Sequence, residues 1–367
     1  MTKKHATLAE VAQAAGVSPV SVSLAIRNQN GRVRVSEKTR KRILDVATQL
    51  DYHPNPSARN LALSRTHQIG VYLNSPKALD LSLTPWHAVI SAIQLHLAKI
   101  GYRLSFYYFP KGMREGFREF LIPNRFVDGL IVQGRVLEDS EIRTIRKSGL
   151  PTVSLYHVIE GFHSLTIDEA QTGADAADYL YAAGHRRVAL FALRMKRPEW
   201  NRRMTGFIQR AREIGLLLPG TCQIVAPIGN RLAGSTELPE ELFHRLETVR
   251  KNITAIYCPS DYLSIALVRA FDAKGIRVGR DISLLSYDNL EGHGFKPWRK
   301  PRLTTFNPPF SEIGAKIVKL LVPSAYAKKR PSPTHHSFVP TLIERDSVEK
   351  WVSAPRRSSS SSRQPHL

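Results

Sequence analysis

Apolar residues recur at helical spacing close to the amino terminus of the chain. Thr7-Leu-Ala-Glu10 has the form of a capping box, in which Thr7 accepts a hydrogen bond from a first-turn N–H and Glu10 reaches back. Gly16 suits the left-handed residue that ends a helix. The pattern therefore predicts a short first helix whose apolar face holds Leu8, Val11, Ala12 and Ala15.

A second helix is predicted to begin directly after this turn. Ser18 suits its N-cap, and Pro19 suits the first helical position because an N–H there would be unpaired in any case. A third helix is predicted from Ser36 to about Leu50. Two short helices joined at a glycine turn are typical of a helix-turn-helix, although an ordinary three-helix bundle fits this spacing about as well. In the second helix the inward face is predicted to hold Val22, Ala25 and Ile26, and the outward face Val20, Ser21 and Leu24.

From residue 67 onward, apolar strand-like runs alternate with amphipathic helical stretches. Alternation of this kind predicts parallel sheets with right-handed crossovers. The pattern runs twice, which predicts two lobes with a ligand-binding cleft near the carboxyl ends of the strands. The predicted strands are 69–73, 102–109, 128–132, 151–156, 187–193, 223–226, 255–258 and 282–286, and the predicted helices are 86–100, 112–122, 168–183, 201–214, 238–250 and 261–274.

The chain carries a formal net charge of +22. Lysine and arginine attract the phosphates of nucleic acids without reading sequence. Residues 1–65 hold 11 lysines and arginines against 4 aspartates and glutamates, a net charge of +7. Because the basic excess continues through the rest of the chain, charge alone does not distinguish a nucleic-acid-binding surface from a solvated one.

The two cysteines, Cys222 and Cys258, lack the paired spacing of a disulfide framework or a metal site, which suits a reducing interior. No apolar run approaches the ~18 residues of a membrane span. The basic start Met1-Thr-Lys-Lys-His5 is not followed by the apolar stretch of a signal peptide. We therefore expect a cytoplasmic protein.

Several sequence pieces stand in one order and at one spacing between residues 6 and 69. They are Thr7-Leu-Ala-Glu-Val-Ala12, Ala15-Gly-Val-Ser-Pro19, Val22-Ser23, Val35-Ser-Glu-Lys-Thr-Arg40 and Tyr52-His-Pro-Asn-Pro-Ser-Ala-Arg59. Further pieces in the larger part of the chain are Val127-Asp-Gly-Leu-Ile131, Ala183-Gly-His-Arg-Arg187, Arg203-Met-Thr-Gly-Phe207, Ser260-Asp261, Ser286-Tyr-Asp-Asn289 and Pro301-Arg-Leu-Thr-Thr305. The amino-terminal pieces resemble the lac repressor and purine repressor family of bacterial transcription regulators. The later pieces resemble the same family, whose effector domain is similar to periplasmic sugar-binding proteins.

The resemblance implies an α/β fold class: an all-α helix-turn-helix headpiece followed by a two-lobed domain of parallel α/β sheets, similar to periplasmic binding proteins. The implied headpiece covers residues 1–53, a hinge helix or linker covers 54–66, and the effector-binding and dimerisation domain covers 67–346. Residues 347–367 are rich in serine and arginine and lack periodic apolar positions, so they are predicted to be a disordered tail.

The resemblance also implies which residues meet DNA. Residues 19–24 are expected in the major groove, with Pro19, Val20 and Leu24 at base-reading positions. Leu24 stands where the family usually carries arginine or another polar residue; leucine cannot make a bidentate contact to guanine but can touch a thymine methyl group. Leu61 matches the hinge leucine that enters the minor groove, although a linker residue packed on the larger domain is the alternative. Further DNA contacts are expected from Thr7, Ser18, Ser21, Ser23, Asn28, Asn55, Ser57 and Ala58.

For the effector, the resemblance implies a site built around Arg203 and Asp288. Arg203 matches the family arginine that forks onto effector oxygens, and Asp288 matches a carboxylate that accepts from hydroxyl or amine groups. Such a pair suits a polyhydroxy ligand or an anion, and a purely structural Arg–Asp pair is the alternative. Tyr156 stands where many relatives have aspartate. The remaining expected ligand-binding residues are Trp86, Ser260 and Phe310, of which the two aromatic residues could equally be core.

The sequence therefore predicts a sequence-specific DNA-binding regulator, with repression as the expected mode. It is expected to bind a near-palindromic operator as a homodimer and to respond to a small-molecule effector such as a sugar. We find no GxxxxGK[ST], HExxH or GxSxG pattern, so no enzyme, cofactor or metal site is expected. The alternatives are a non-catalytic solute-binding protein and a low-specificity DNA-binding protein.

Overall fold

The chain divides into two compact units, residues 1–67 and residues 68–367. The computed structural model describes residues 6–27, 35–53, 65–73, 86–109, 126–133, 137–194, 198–217, 220–227, 238, 240–294, 301–327 and 331–351. In its described part the first unit is helical, and the second combines helices with two β-sheets.

Local sequence signals set the helix ends of the first unit, which contains α1 (Leu8–Ala14), α2 (Pro19–Arg27) and α3 (Glu37–Gln49). The hydroxyl of Thr7 accepts a hydrogen bond from the Glu10 N–H at 3.3 Å, and the Glu10 carboxylate accepts from the Thr7 N–H at 2.6 Å. Gly16 follows α1 with a φ of +62°, a conformation that glycine adopts without strain. The predicted capping box and glycine turn are both present.

A small apolar core joins the three helices. Val11, Val22 and Ile43, one from each helix, are fully buried. The axes of α1 and α2 are bent by 101° at the turn between them, within the roughly 90–120° typical of a helix-turn-helix. Among the described residues no single helix is long and apolar enough to cross a membrane, and α1 with α2 meets that criterion only as a bent pair.

In the described part of the second unit, strands and helices alternate in two runs. The strands are β1 (Gln68–Leu73), β2 (Arg103–Tyr108), β3 (Gly129–Gln133), β4 (Thr152–Leu155), β5 (His163–Ile167), β6 (Val188–Arg194), β7 (Gln223–Pro227), β8 (Ala255–Tyr257), β9 (Ser283–Tyr287), β10 (Thr304–Asn307), β11 (His335–Phe338) and β12 (Thr341–Ile343). The helices are α4 (Trp86–Ala98), α5 (Asp139–Ser148), α6 (Glu169–Ala182), α7 (Pro198–Glu213), α8 (Glu240–Arg250), α9 (Asp261–Asp272) and α10 (Phe310–Ser324).

These strands form two six-stranded sheets, one for each lobe. The first lobe has the order β11-β5-β4-β3-β1-β2, with every pair parallel. The second has the order β12-β10-β9-β8-β6-β7, and its edge strand β12 alone runs antiparallel, along β10. Central strands such as β1, β4 and β9 are buried along almost their whole length, as expected when both faces of a parallel sheet are covered. The predicted α/β fold class is confirmed.

The chain passes between the two lobes three times, which the two-run pattern did not predict. It leaves the first lobe after β5, returns between β10 and α10, and leaves again between β11 and β12. After the second passage, Phe310, Ile313 and Leu321 of α10 are buried in the core of the first lobe. Gly314 permits this packing, since a Cβ atom there would lie 2.8 Å from the Cβ atom of Ala92 in α4.

The packed chain also extends beyond Asp346, where the sequence predicted a disordered tail to begin. Ser347 is fully buried, and its hydroxyl donates to the Leu284 carbonyl at 2.6 Å and accepts from the Thr304 N–H at 2.8 Å. The Trp351 N–H donates to the Ala183 carbonyl at 2.7 Å. The ordered domain therefore continues at least to Trp351. Hydrogen bonds attach this segment, so the absence of apolar periodicity in its sequence gave the wrong prediction. Residues 352–367 lie outside the described part of the chain.

We expect Ser347→Ala to destabilise the second unit by about 2 kcal/mol, because it leaves a buried N–H and a buried C=O without their hydrogen-bond partner. Denaturant unfolding of both proteins measures this difference. Ser311→Ala, an exposed serine of α10, serves as the control and should change the free energy of unfolding by less than about 0.5 kcal/mol. Equal effects of the two substitutions would show that the 347–351 segment is not attached as described.

Candidate functional site

Helix α2 presents one face to its neighbours and the other to solvent. Val22 and Ala25 are buried, and Ile26 packs against the same apolar cluster. Val20, in the first turn, is 61 % exposed. Leu24 is half-buried and lies outside that cluster, so the division of faces expected from the sequence is present.

The amino-terminal end of α2 carries a short row of serine hydroxyl groups. Ser18 accepts a hydrogen bond from the Ser21 N–H at 3.2 Å, as an N-cap does, and the two hydroxyl groups lie 2.9 Å apart. Thr7 is exposed at the start of α1. A helix amino terminus with hydroxyl groups beside it suits phosphate and base contacts. Of the expected DNA-binding residues, Asn28, Asn55, Ser57, Ala58 and Leu61 lie outside the described residues.

In the second unit, polar side chains converge at the carboxyl ends of the second lobe's strands. Tyr257 ends β8, Tyr287 ends β9, and Asp288 follows directly. Glu169 opens α6, and Arg203 lies in the second turn of α7. In a parallel sheet these strand ends and helix starts share one edge, which is where such folds bind ligands. We call this set, together with Tyr156, the polar cluster.

Arg203 is the best-connected member of the polar cluster. Its Nε donates to the Glu169 carboxylate at 2.6 Å, and one Nη donates to the Pro259 carbonyl at 2.8 Å. Its guanidinium carbon lies 3.1 Å from the centroid of the Tyr287 ring, a cation–π arrangement. The side chains of Arg203 and Glu169 are only 13 % and 17 % exposed. The partner that fixes Arg203 is thus Glu169, which the sequence did not single out.

Asp288 lies next to this pair on a strained backbone. It is 7 % exposed, and its φ of +116° is one that residues other than glycine rarely adopt. Burial raises the pKa of its carboxyl well above the ordinary value, although the charge of Arg203 acts in the opposite direction. The carboxyl therefore has access to a protonated form that can donate a hydrogen bond as well as accept one.

Neighbouring side chains hold the Asp288 loop in place. Asp261 accepts from the Leu290 N–H at 2.8 Å and from the Thr305 hydroxyl at 2.9 Å, and its burial raises its pKa to about 6. Arg345 donates to the side-chain oxygen of Asn289 at 2.6 Å. Because Asn289 also has a positive φ, these contacts maintain two consecutive strained residues.

Three tyrosines complete the polar cluster. Tyr156 follows β4 in the first lobe with a φ of +63°, and burial followed by the charges of Glu169 and Asp288 raises its pKa. Tyr257 and Tyr287 are almost completely buried, and neither hydroxyl has a hydrogen-bond partner among the described residues. The first lobe thus contributes Tyr156 to a site otherwise built by the second. Sequence reasoning missed Tyr257 and Tyr287 because tyrosine at the end of a buried strand is ordinarily core.

The other expected effector residues are distributed around this cluster. Ser260 is half-buried at the N-cap of α9, one residue after the Pro259 carbonyl that Arg203 binds. Phe310 is 3 % exposed in the core of the first lobe, with its ring centroid 5.2 Å from that of His293. The structure places Phe310 in the core, which is the alternative that the sequence left open for it. Trp86 begins α4, and its side chain lies outside the described part of the chain.

Both parts of the chain match families of known proteins. Residues 7–55 match the family model "Bacterial regulatory proteins, lacI family", and residues 177–348 match "Periplasmic binding protein-like domain". The chain is similar to the HTH-type transcriptional repressor PurR of Pasteurella multocida, with 28 % identity over 353 residues, 94 % of this chain and 99 % of that protein. It is also similar to the HTH-type transcriptional regulator GntR of Pseudomonas aeruginosa, with 29 % identity over 326 residues, 88 % of this chain and 90 % of that protein.

Solved structures show the same fold at lower sequence identity. The lac repressor dimer bound to operator and the anti-inducer ONPF superposes with a TM-score of 0.70 and 23 % identity, over 94 % of this chain and all of that one. The transcriptional regulator CelR in complex with cellobiose gives a TM-score of 0.62 and 22 % identity, over 93 % and 99 % of the two chains.

A helix-turn-helix unit followed by a two-lobed domain of this kind defines a DNA-binding transcription regulator with an effector domain similar to periplasmic binding proteins. Its amino-terminal residues 7–55 match the lacI family of bacterial regulatory proteins, and over 94 % of its length the chain is similar to repressors of the lac repressor and purine repressor family.

Proposed function

We propose that the protein represses transcription by binding a near-palindromic operator as a homodimer, and that a small polyhydroxy molecule bound at the polar cluster controls this binding. The observation that carries the proposal is the joint presence of two sites in one chain. One is the exposed face of helix α2, and the other is the polar cluster at the strand ends of the second unit, in which the hydroxyl groups of Tyr257 and Tyr287 have no hydrogen-bond partner among the described residues.

The operator site is supported by the geometry of α2. Val20 projects into solvent from its first turn, and the hydroxyl groups of Ser18 and Ser21 stand beside it. An apolar side chain with flanking hydroxyl groups can read thymine methyl groups and bind phosphates. One short helix reads too few bases for specificity, so a twofold pair of headpieces on a twofold operator is expected. The lac repressor dimer bound to its operator has the same fold.

The effector site is supported by Arg203, Asp288 and the three tyrosines of the polar cluster. Buried polar groups ordinarily have hydrogen-bond partners, so the free hydroxyl groups of Tyr257 and Tyr287 point to a ligand that would supply them. Residues from both lobes meet there, which allows a ligand to bias how the lobes close. A neighbour of the same fold is described in complex with cellobiose.

Selection from a random double-stranded DNA library, followed by competition between the selected and random DNA, tests the operator site. We expect a sequence with twofold symmetry that binds at least about 10³-fold more tightly than random DNA at physiological salt. A selected site without symmetry, or equal competition by random DNA, would instead indicate a low-specificity DNA-binding protein. A thermal-shift screen of sugars then identifies effectors, which are tested for release or strengthening of the operator complex.

Leu61, which lies outside the described residues, is predicted to enter the minor groove, and its substitution is therefore expected to weaken operator binding. Leu61→Ala should weaken operator binding at least about tenfold and reduce DNA bending, because an inserted leucine permits the bend that brings more protein to the DNA. Leu63→Ala, two residues further on, is the matched control and should retain operator affinity. Gel-shift titration and a circular-permutation bending assay measure both quantities. Unchanged bending in the Leu61 variant would contradict the hinge role.

A further inference from the structure

The positive charge of Arg203 is balanced within the protein before any ligand enters. The Glu169 carboxylate takes the Nε–H at 2.6 Å, the Pro259 carbonyl takes one Nη–H, and the Tyr287 ring covers one face. A guanidinium has five N–H donors, so three remain for a ligand. These donors belong to an ion pair that is neutral as a unit rather than to a free cation.

The other described charges around the polar cluster do not restore a positive field. Arg345 lies 3.8 Å from the Glu291 carboxylate and donates to the Leu303 carbonyl and to Asn289. The Glu291 carboxylate also accepts from the Arg302 Nε–H at 2.7 Å, so Arg345 shares this glutamate with Arg302, whereas within the described part of the chain Arg203 has Glu169 to itself. Asp261 and Asp288 add two more carboxyl groups, both buried. Among the described residues, the cluster offers acidic groups and paired arginines, but no unpaired cation.

The remaining groups of the cluster suit hydroxyl groups. The phenols of Tyr257 and Tyr287 have no hydrogen-bond partner among the described residues, and burial keeps both un-ionised by raising their pKa. Each can donate one hydrogen bond and accept another. A ligand hydroxyl also donates and accepts, so it can bridge an Arg203 N–H and a Glu169 oxygen. A carboxylate or phosphate only accepts, and it would bring a negative charge beside Glu169.

We propose that Glu169 determines the charge selectivity of the effector site, so that the site takes an uncharged polyhydroxy ligand and rejects compounds in which a carboxylate or phosphate replaces a hydroxyl. This inference rests on the proposed effector site and deepens it. The sequence admitted either a polyhydroxy ligand or an anion, with a sugar as the expected effector. The Glu169–Arg203 ion pair favours the polyhydroxy ligand over the anion.

The test uses sugar pairs that share a carbon skeleton and differ in charge: D-glucose with D-gluconate, D-galactose with D-galactonate, and D-ribose with D-ribonate. Thermal shift and calorimetry are run on the full-length wild type, at ionic strength matched with sodium chloride. We expect that no carboxylate member raises the melting temperature of the wild type above the salt control. A carboxylate that binds the wild type as tightly as its uncharged partner, or more tightly, would overturn the proposal, and this half of the test needs no variant to fold.

The second half uses Glu169→Gln, which frees Arg203 while keeping the shape of the side chain. We expect this variant to gain at least tenfold in affinity for sulfate or for a carboxylate member of the panel, because a buried guanidinium without a partner now needs an anion. The gain should vanish in Glu169→Gln/Arg203→Ala. Glu213→Gln, which alters an exposed glutamate paired with Arg210 in the same lobe, is the matched control and should gain nothing.

An absence of anion binding in Glu169→Gln would also overturn the proposal, while leaving operator recognition untouched as a separate result of the DNA selection. Conversely, failure to select a symmetric operator would remove the proposed regulatory function even if Glu169→Gln gained anion binding. The charge-selectivity proposal and the proposed regulatory function are therefore tested by different measurements.

Discussion

Arg203→Ala is expected to lose at least about tenfold in effector affinity and about 3 kcal/mol in stability. The affinity falls because a charged donor contributes roughly 1.5–3 kcal/mol to a well-aligned hydrogen bond. The stability falls because the substitution leaves the Glu169 carboxylate, 17 % exposed, without the cation 2.6 Å away. Affinity for the operator without effector should be unchanged, since residues 1–67 form a separate compact unit.

Three further variants separate the causes of these two losses. Glu169→Gln/Arg203→Ala should be more stable than Arg203→Ala, because no unpaired buried charge remains. Arg210→Ala, one residue of the same helix whose partners Asp178 and Glu213 are largely exposed, should cost less than about 1 kcal/mol and leave effector binding intact. Lysine at 203 should rescue binding poorly, because it cannot reproduce the planar fork. Wild-type affinity in both Arg203 variants would show that Arg203 is only structural.

Gly173→Ala is expected to destabilise the second unit by about 3 kcal/mol and to weaken effector binding. Gly173 of α6 lies one turn after Glu169, and a Cβ atom there would overlap the carbonyl oxygen of Arg203 and lie 2.7 Å from the Phe207 nitrogen. Gly206 of α7 lies in the reciprocal position against the Ala170 carbonyl. Both neighbours are backbone atoms, so α7 must move as a whole, and overpacking of this kind is costly.

The close contact and the helix propensity of alanine change the stability of Gly173→Ala in opposite directions. Alanine stabilises an exposed helix position by roughly 1 kcal/mol relative to glycine, so a helix without the close contact would gain stability from the same substitution. Gly220→Ala is the control, since a Cβ atom there meets nothing within 4 Å. Thermal unfolding compares the three proteins. A melting temperature of Gly173→Ala equal to or above that of the wild type would show that α6 and α7 do not approach so closely.

Elements with strong local signals could be predicted from the sequence, and elements defined by tertiary contacts could not. The capping box at Thr7 and the glycine turn at Gly16 need only neighbouring residues, so the headpiece helices lie where the sequence places them. Buried strands such as β1 and β9 are rich in apolar residues and were found within one residue of their observed ends. By contrast, β11 (His335–Phe338) is an exposed edge strand with little apolar content, and α5 (Asp139–Ser148) is mostly polar, so neither was predicted. The predicted helix 112–122 lies outside the described residues.

For the same reason, the sequence predicted some residues of the candidate effector site and missed the residues that only tertiary contacts bring there. Arg203 and Asp288 were found through matching sequence pieces, which mark positions but not partners. Glu169 lies 34 residues before Arg203, and the two meet only because Gly173 and Gly206 let α6 and α7 approach closely. No periodicity within one helix reports the distance between two helices. The free phenols of Tyr257 and Tyr287 are likewise a property of the assembled site.

Because the chain passes between the lobes three times, neither lobe is made from one continuous stretch during synthesis on the ribosome. The first sheet is incomplete until β11 has emerged, and its helical cover is incomplete until α10 has, although β1 to β5 are made much earlier. The second lobe is likewise completed only by β12 and by the 347–351 segment that follows it. Neither lobe can finish folding as an amino-terminal piece, so both must complete together late in translation, and nascent chains that stop before about residue 340 would expose apolar surface to chaperones and proteases.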